Sequence, residues 1–172
     1  MANHGVYVRE QATSVSSPNT AETGVPFFIG LSPIQKAENP ATAGVPVLCT
    51  TWDEYVDKLG YSEDWTTYPL CEAAYSHFKL YGMSPAIFVN LLDASTMSSA
   101  VAAADKTVTG KKIELTAKAL PSTVVVKAAG GSGAAYVLGT DYDLYFNTSE
   151  KLVIEVLSGG AIYAAASLNV AY

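Results

Sequence analysis

Gly24-Val-Pro-Phe-Phe-Ile-Gly-Leu31 is a short apolar run followed closely by Pro33. A run of this length, rich in Phe, Ile and Val, fits a strand buried on both faces. Ala86–Leu92 (Ala-Ile-Phe-Val-Asn-Leu-Leu) has the same character, and two helix-like segments separate the runs. Strand, helices, strand is the order of a crossover to a parallel neighbour. The expectation is an α/β layer with Gly24–Leu31 as its central strand.

The intervening residues support two helices. Ser32–Gly44 holds Pro33, Pro40 and Gly44 and reads as a loop, and Val45–Cys49 as a short strand. Thr51-Trp-Asp-Glu54 has the form of a capping box. It predicts a helix over Trp52–Leu59, with Trp52, Tyr55, Val56 and Leu59 on one face and Gly60 as the stop. A second helix is predicted from Tyr68, with Pro69 in its first turn, where a missing N–H costs nothing. Its stripe is Leu70, Ala73, Ala74, His77, Phe78 and Tyr81, and Gly82 ends it.

Upstream, Gly5-Val-Tyr-Val-Arg-Glu10 alternates as a strand does, with Val6 and Val8 on one side and Tyr7 and Arg9 on the other. Ala12–Glu22 is rich in Ser and Thr, contains Pro18-Asn19, and reads as an extended linker. A tethered terminal strand pairs either with its own sheet, the commoner case, or with another chain's open edge.

Downstream, Ser95–Ala104 reads as a short helix or a linker, and the texture then changes. Strands are predicted over Lys112–Ala117, Thr123–Ala128, Ala134–Leu138, Asp143–Phe146, Leu152–Leu157 and Ile162–Val170, separated by Gly-, Asn- and Ser-rich turns. The expected fold class is therefore α+β or α/β. It has an extended strand arm and linker (residues 1–22), an α/β core layer with two helices (23–104), and a small all-β, sandwich-like module (105–172). A module of about 65 residues is near the lower limit for independent folding.

Composition narrows the functional classes. The chain has 172 residues, is 49% hydrophobic and only 15% charged, and carries a net charge of −6. The charged share is well below the usual ~25%. Residues 1–100 hold four basic side chains (Arg9, Lys36, Lys58, Lys79) against ten acidic ones, whereas 101–172 are balanced. With no basic face, neither nucleic acid nor an anionic membrane surface is an expected partner. No apolar run approaches the ~20 residues of a membrane span. Met-Ala-Asn-His-Gly lacks the basic and apolar regions of a signal peptide, so folding in a cytoplasm is expected. Cys49 and Cys71 lack metal or redox spacing and are expected as reduced, buried small hydrophobes.

No catalytic pattern emerges, and no catalytic, metal or cofactor residue is assigned. His4 and His77 have no nucleophile or carboxylate beside them in a recognisable arrangement. Asp141 and Asp143 flank Tyr142 and could face a cation, but read as a polar turn entering a strand. Gly130–Gly133 lacks the Lys-Ser/Thr of a phosphate loop and reads as a hairpin tip. Trp52, Trp65 and the tyrosines could form a sugar platform, but lie mostly on predicted core faces.

Taken in order, Gly5–Glu10, the Ser/Thr linker, Gly24–Gly30, Pro46-Val-Leu-Cys-Thr-Thr-Trp-Asp-Glu-Tyr55, Leu59-Gly60, Leu70–Gly82 and Ile87-Phe-Val89 form a pattern. That pattern resembles the N-terminal half of the tail sheath proteins of contractile phage tails and related contractile bacteriocins. The resemblance implies a structural protein and not an enzyme, with no cofactor. It implies that the arm, Gly5, Val6, Tyr7, Val8, Arg9 and Glu10, joins the sheet of a neighbouring subunit. The implied partners are further copies of the chain in a helical polymer, the tail tube protein, and baseplate and terminator proteins. The implied location is the virion or phage-tail-like particle, assembled in the bacterial host cytoplasm. Sheath subunits often carry an outward-facing inserted β domain, which Thr107–Tyr172 resembles. They then return to complete the core, whereas this sequence stops at Tyr172 and is expected to be the N-terminal portion. The rival expectation is a binding module, an adhesin-like or carbohydrate-binding β domain on an α/β base.

Overall fold

A computed structural model describes residues 24–172. The arm Gly5–Glu10, the linker Ala12–Glu22 and His4 lie outside the described residues. The structure is mixed α/β, with nine strands in three small three-stranded sheets and no closed barrel among them.

The first sheet contains β1 (Phe27–Gly30), β2 (Val47–Cys49) and β3 (Ala86–Asn90) in the order β1-β3-β2. β1 and β3 are parallel, as the crossover pattern predicts, and β2 is antiparallel to β3. The centre is therefore β3. The expectation that Gly24–Leu31 forms a central, doubly buried strand is corrected: β1 is an edge strand of four residues with one face open. The apolar run signals burial, but among the described residues a helical layer covers only one side of it.

That layer begins with α1 (Trp52–Leu59), whose bounds match the predicted ones. Thr51 Oγ1 accepts from the Glu54 N–H at 3.2 Å. Glu54 reaches back one residue further than a capping box requires, accepting from the Thr50 N–H at 2.7 Å and its hydroxyl at 2.9 Å. α2 (Pro69–Ala74) follows, then continues as a wider π turn over Tyr75–Leu80. The Tyr81 N–H bonds to the Ser76 carbonyl, and the Met83 N–H to that of His77. The single predicted helix is thus unwound at its C-terminal end. Leu70, Ala74 and His77 remain buried, but the wider turn swings Tyr81 out into solvent.

Register divides the sheet into two faces. Phe28, Phe88, Ala86, Val47 and Cys49 face the helices and pack with Tyr55, Leu59, Leu70 and Ala74. Phe88 is fully buried, its ring centroid 5.3 Å from Phe28 and 4.9 Å from Tyr55. Where β1 and β3 end, Asn90 Oδ1 accepts from the Ser32 N–H at 2.9 Å, and its amide donates to the Ser32 carbonyl at 3.1 Å. The Ser32 hydroxyl lies 2.9 Å from the Tyr55 hydroxyl and 3.2 Å from the Gly60 carbonyl oxygen. This buried network ties both parallel strands to α1.

A short α3 (Ala94–Met97), capped by Asp93, leads to the β-rich part. There β4 (Ala104–Thr107), β9 (Ser167–Ala171) and β6 (Val125–Ala128) form one antiparallel sheet in the order β4-β9-β6. β5 (Lys112–Glu114), β8 (Leu152–Val156) and β7 (Tyr142–Phe146) form the other, in the order β5-β8-β7. Ile113, Leu152, Ile154 and Val156 from one sheet share an apolar cluster with Val126, Leu168 and Val170 from the other.

Several predicted strands are shorter, and one is absent. Ala134–Leu138 forms no strand beyond an isolated bridge from Leu138 to Tyr142. The Tyr136 N–H still reaches Val126, but that of Val137 is taken by the Asp141 carboxylate at 2.9 Å, which ends any ladder. Ile162–Val170 pairs only from Ser167, because Gly160–Ala165 is folded into turns. Pro121–Thr123 is a 3-10 turn, which shortens the strand expected over Thr123–Ala128. β4 was not among the predicted strands, since Ala-Asp-Lys-Thr has neither alternation nor β-branched enrichment.

Candidate assembly surface

The other face of the first sheet presents Phe27, Ile29, Leu48, Ile87 and Val89. Phe27 is 51%, Ile29 61% and Leu48 53% exposed. Val25, Val45 and Leu91 extend the apolar surface around them. Among the described residues only Val89, at the centre, is buried there. Register explains why these residues cluster. Phe27, Ile87 and Leu48 are direct cross-strand partners, so they form one row across all three strands.

Both outer strands of this sheet have an unpaired edge among the described residues. Phe-Phe-Ile-Gly and Val-Leu-Cys carry no charged side chain. Soluble proteins usually protect such edges with lysine, proline or a bulge. An uncharged edge beside a contiguous apolar face is surface suited to another polypeptide.

The other candidates resolve differently. His77 is buried between Phe28 and Phe78, at 5.9 and 5.1 Å between centroids, and its Nε2 has no hydrogen-bond partner. Among the described residues no carboxylate or nucleophile is brought to it by a hydrogen bond. Asp141 caps two backbone N–H groups, those of Val137 and Ala161, both at 2.9 Å. Those bonds hold its carboxyl below the usual range. Asp143 is exposed in β7, so the pair does not converge on a cation. No group of three His, Cys, Asp or Glu side chains among the described residues is placed to hold a metal. Gly130–Gly133 is a turn after β6, and the Gly130 N–H donates to the Asp105 carboxylate.

Cys49 and Cys71 are both free and buried. Burial pushes the Cys49 thiol up to about 11, a rise that nearby Lys58 only partly offsets. Cys71 Sγ accepts a long bond from the Tyr55 hydroxyl at 3.7 Å. Trp52, Tyr61, Trp65 and Tyr75 do gather on the base, but chiefly against one another. Trp52 meets Tyr61 edge-on at 4.8 Å, Trp65 tilts on Tyr75 at 5.5 Å, and the Lys79 ammonium covers Trp52 at 5.3 Å. Much of those faces is used in mutual packing, while Tyr61, Trp65 and Tyr75 also line an open cleft of about 310 Å³ beside Glu63.

The arm residues Gly5, Val6, Tyr7, Val8, Arg9 and Glu10 were the interface residues expected from sequence, and they lie outside the described residues. Sequence reasoning missed Phe27, Ile29 and Leu48, since a continuous apolar run reads the same whether its cover is internal or external. One signal was available: both helical segments fall in a single β1–β3 connection, and one right-handed crossover covers one face. No helix among the described residues is long and apolar enough to cross a membrane. No family model, curated protein or solved structure matches the chain.

Proposed function

We propose that the chain is a structural subunit of a contractile tail sheath, polymerising helically around a tail tube by donating the strand Gly5–Glu10 to a neighbouring copy. The observation that carries this is the half-covered sheet: an apolar face containing Phe27, Ile29 and Leu48, flanked by two uncharged edges. Such a surface is costly to leave in water and fits a role whose working state is an assembly. A head-to-tail contact whose rotation does not close generates a helical filament, and strand donation is a contact of that kind. Each backbone bond nets only about 1 kcal/mol, so a six-residue arm is a modest link that gains strength by repetition. Contraction is then a rigid-body repacking of subunits from a metastable array to a compact one, with Ala12–Glu22 keeping neighbours tied. In this scheme residues 105–172 are a sandwich-like insertion carried on the outside of the core.

The test is assembly of the full-length gene product, followed by sedimentation velocity. Ile29→Asp places a carboxylate on a largely exposed position, so the subunit keeps its fold and loses the large, fast-sedimenting species. Val6→Asp combined with Val8→Asp gives the same result from the arm. Particles of unchanged size in both variants would exclude the scheme.

A further inference from the structure

The base, built on the first sheet, and the β-rich part have separate apolar clusters with no residue in common. Among the described residues, the hydrogen bonds and the ion pair across their junction converge mostly on one side chain. Glu150 accepts from the Lys36 ammonium at 2.9 Å, the Ser62 hydroxyl at 2.6 Å and the Glu63 N–H at 3.2 Å. All three donors belong to the base, whereas Glu150 lies in the turn between β7 and β8. Ser62 is buried, and the Lys36 side chain is only 11% exposed. Among the described residues the other side-chain hydrogen bond across the junction is long, from Gln35 Nε2 to the Ala117 carbonyl at 3.4 Å. Beyond it lie open clefts of about 340 and 500 Å³ between Ile34, Gln35 and Leu120, where the two parts do not close on each other.

The backbone at Glu150 points the same way. Its φ is +61°, a left-handed conformation that favours Gly or Asn. The Asn147 side chain organises the turn by accepting from the Ser149 and Lys151 N–H groups, so the turn itself does not need a glutamate. The only covalent link between the two parts within the described residues runs through 91–100, with α3 inside it. Asn90 is anchored in the Ser32 network, and Val101 is bridged to Tyr172 in the β-rich part. The residues between them are mostly exposed.

We propose that Glu150 is a latch: its contacts with Lys36, Ser62 and Glu63 fix the angle of the β-rich part over the base, and their loss lets the two parts turn about residues 91–100. The proposal is independent of the sheath scheme. In an assembly the latch would decide whether the β-rich part moves with its base or separately from it.

Two exposed positions, Glu72→Cys on the base and Ser132→Cys on the β-rich part, carry nitroxide labels for pulsed electron spin resonance. Cys49 and Cys71 are fully buried and do not compete for label. The otherwise unchanged chain gives one narrow distance distribution. Glu150→Gly removes the carboxylate yet suits the left-handed turn, so the hairpin keeps its fold; Lys36→Met removes the cation from the other side. Both broaden the distribution about twofold or more, as expected when a hinge is released. Glu155→Gln, which breaks a part-exposed pair with Lys112 inside the β-rich part and away from the Glu150 turn, leaves it narrow. A distribution already broad in the unchanged chain, or one left narrow by either Glu150→Gly or Lys36→Met, overturns the latch.

Discussion

Gly60→Ala lowers stability by about 3–5 kcal/mol, combining backbone strain with a steric clash. Gly60 ends α1 with φ +73° and ψ 167°, a region open essentially to glycine alone. A Cβ there would stand 2.2 Å from the Pro33 carbonyl oxygen, which is backbone and cannot swing aside. The same residue's carbonyl accepts from the Ser32 hydroxyl, so displacing it disturbs the network that joins β1, β3 and α1. In thermal unfolding followed by circular dichroism the midpoint drops by about 10 °C. Gly44 is the control. Its φ is also positive, at +74°, but nothing lies within 4 Å of the added atom. Gly44→Ala therefore costs only about 1 kcal/mol. Equal losses from the two substitutions would mean that the approach of Gly60 to Pro33 contributes nothing.

Phe88→Ala and Phe27→Ala separate the two faces of one sheet. Phe88 is fully buried against Phe28, Tyr55 and Phe78, so truncation costs about 3–5 kcal/mol in urea unfolding of the monomer. Phe27 is half exposed on the adjacent strand, and its truncation changes monomer stability by no more than about 0.5 kcal/mol. The two residues belong to neighbouring register pairs of β1 and β3 and take opposite faces, Phe27 on the edge strand and Phe88 on the central one. A cost at Phe27 comparable to that at Phe88 would mean that this face is covered within the subunit itself.

Local chemistry made much of this legible beforehand. Thr51 and Gly60 bound α1 in the sequence as they do in the structure, and Leu70, Ala74 and His77 of the predicted stripe are buried, with Ala73 and Phe78 half-buried. The parallel pairing of β1 with β3 follows from two apolar runs separated by helices. What stayed hidden depends on partners distant in sequence. Whether Phe27 is covered depends on whether a second layer exists, and a four-residue run carries no record of that. Ala134–Leu138 has strand-like content but loses an N–H to Asp141, a side-chain competition that periodicity does not register. Glu150 looks like an ordinary turn residue, and its partners Lys36, Ser62 and Glu63 are about ninety or more positions away. Burial pushes its carboxyl up, but the Ser62 hydroxyl, the Lys36 ammonium and the Glu63 N–H outweigh that and hold it below the usual glutamate range.

Electron microscopy of the full-length gene product, with and without Met1–Glu10, tests the sheath assignment most directly. The intact product forms hollow, helically striated tubes, and the shortened one remains as folded single subunits. Tubes formed equally well without those residues would contradict the donated strand, and an intact product that stays monomeric would contradict the sheath itself.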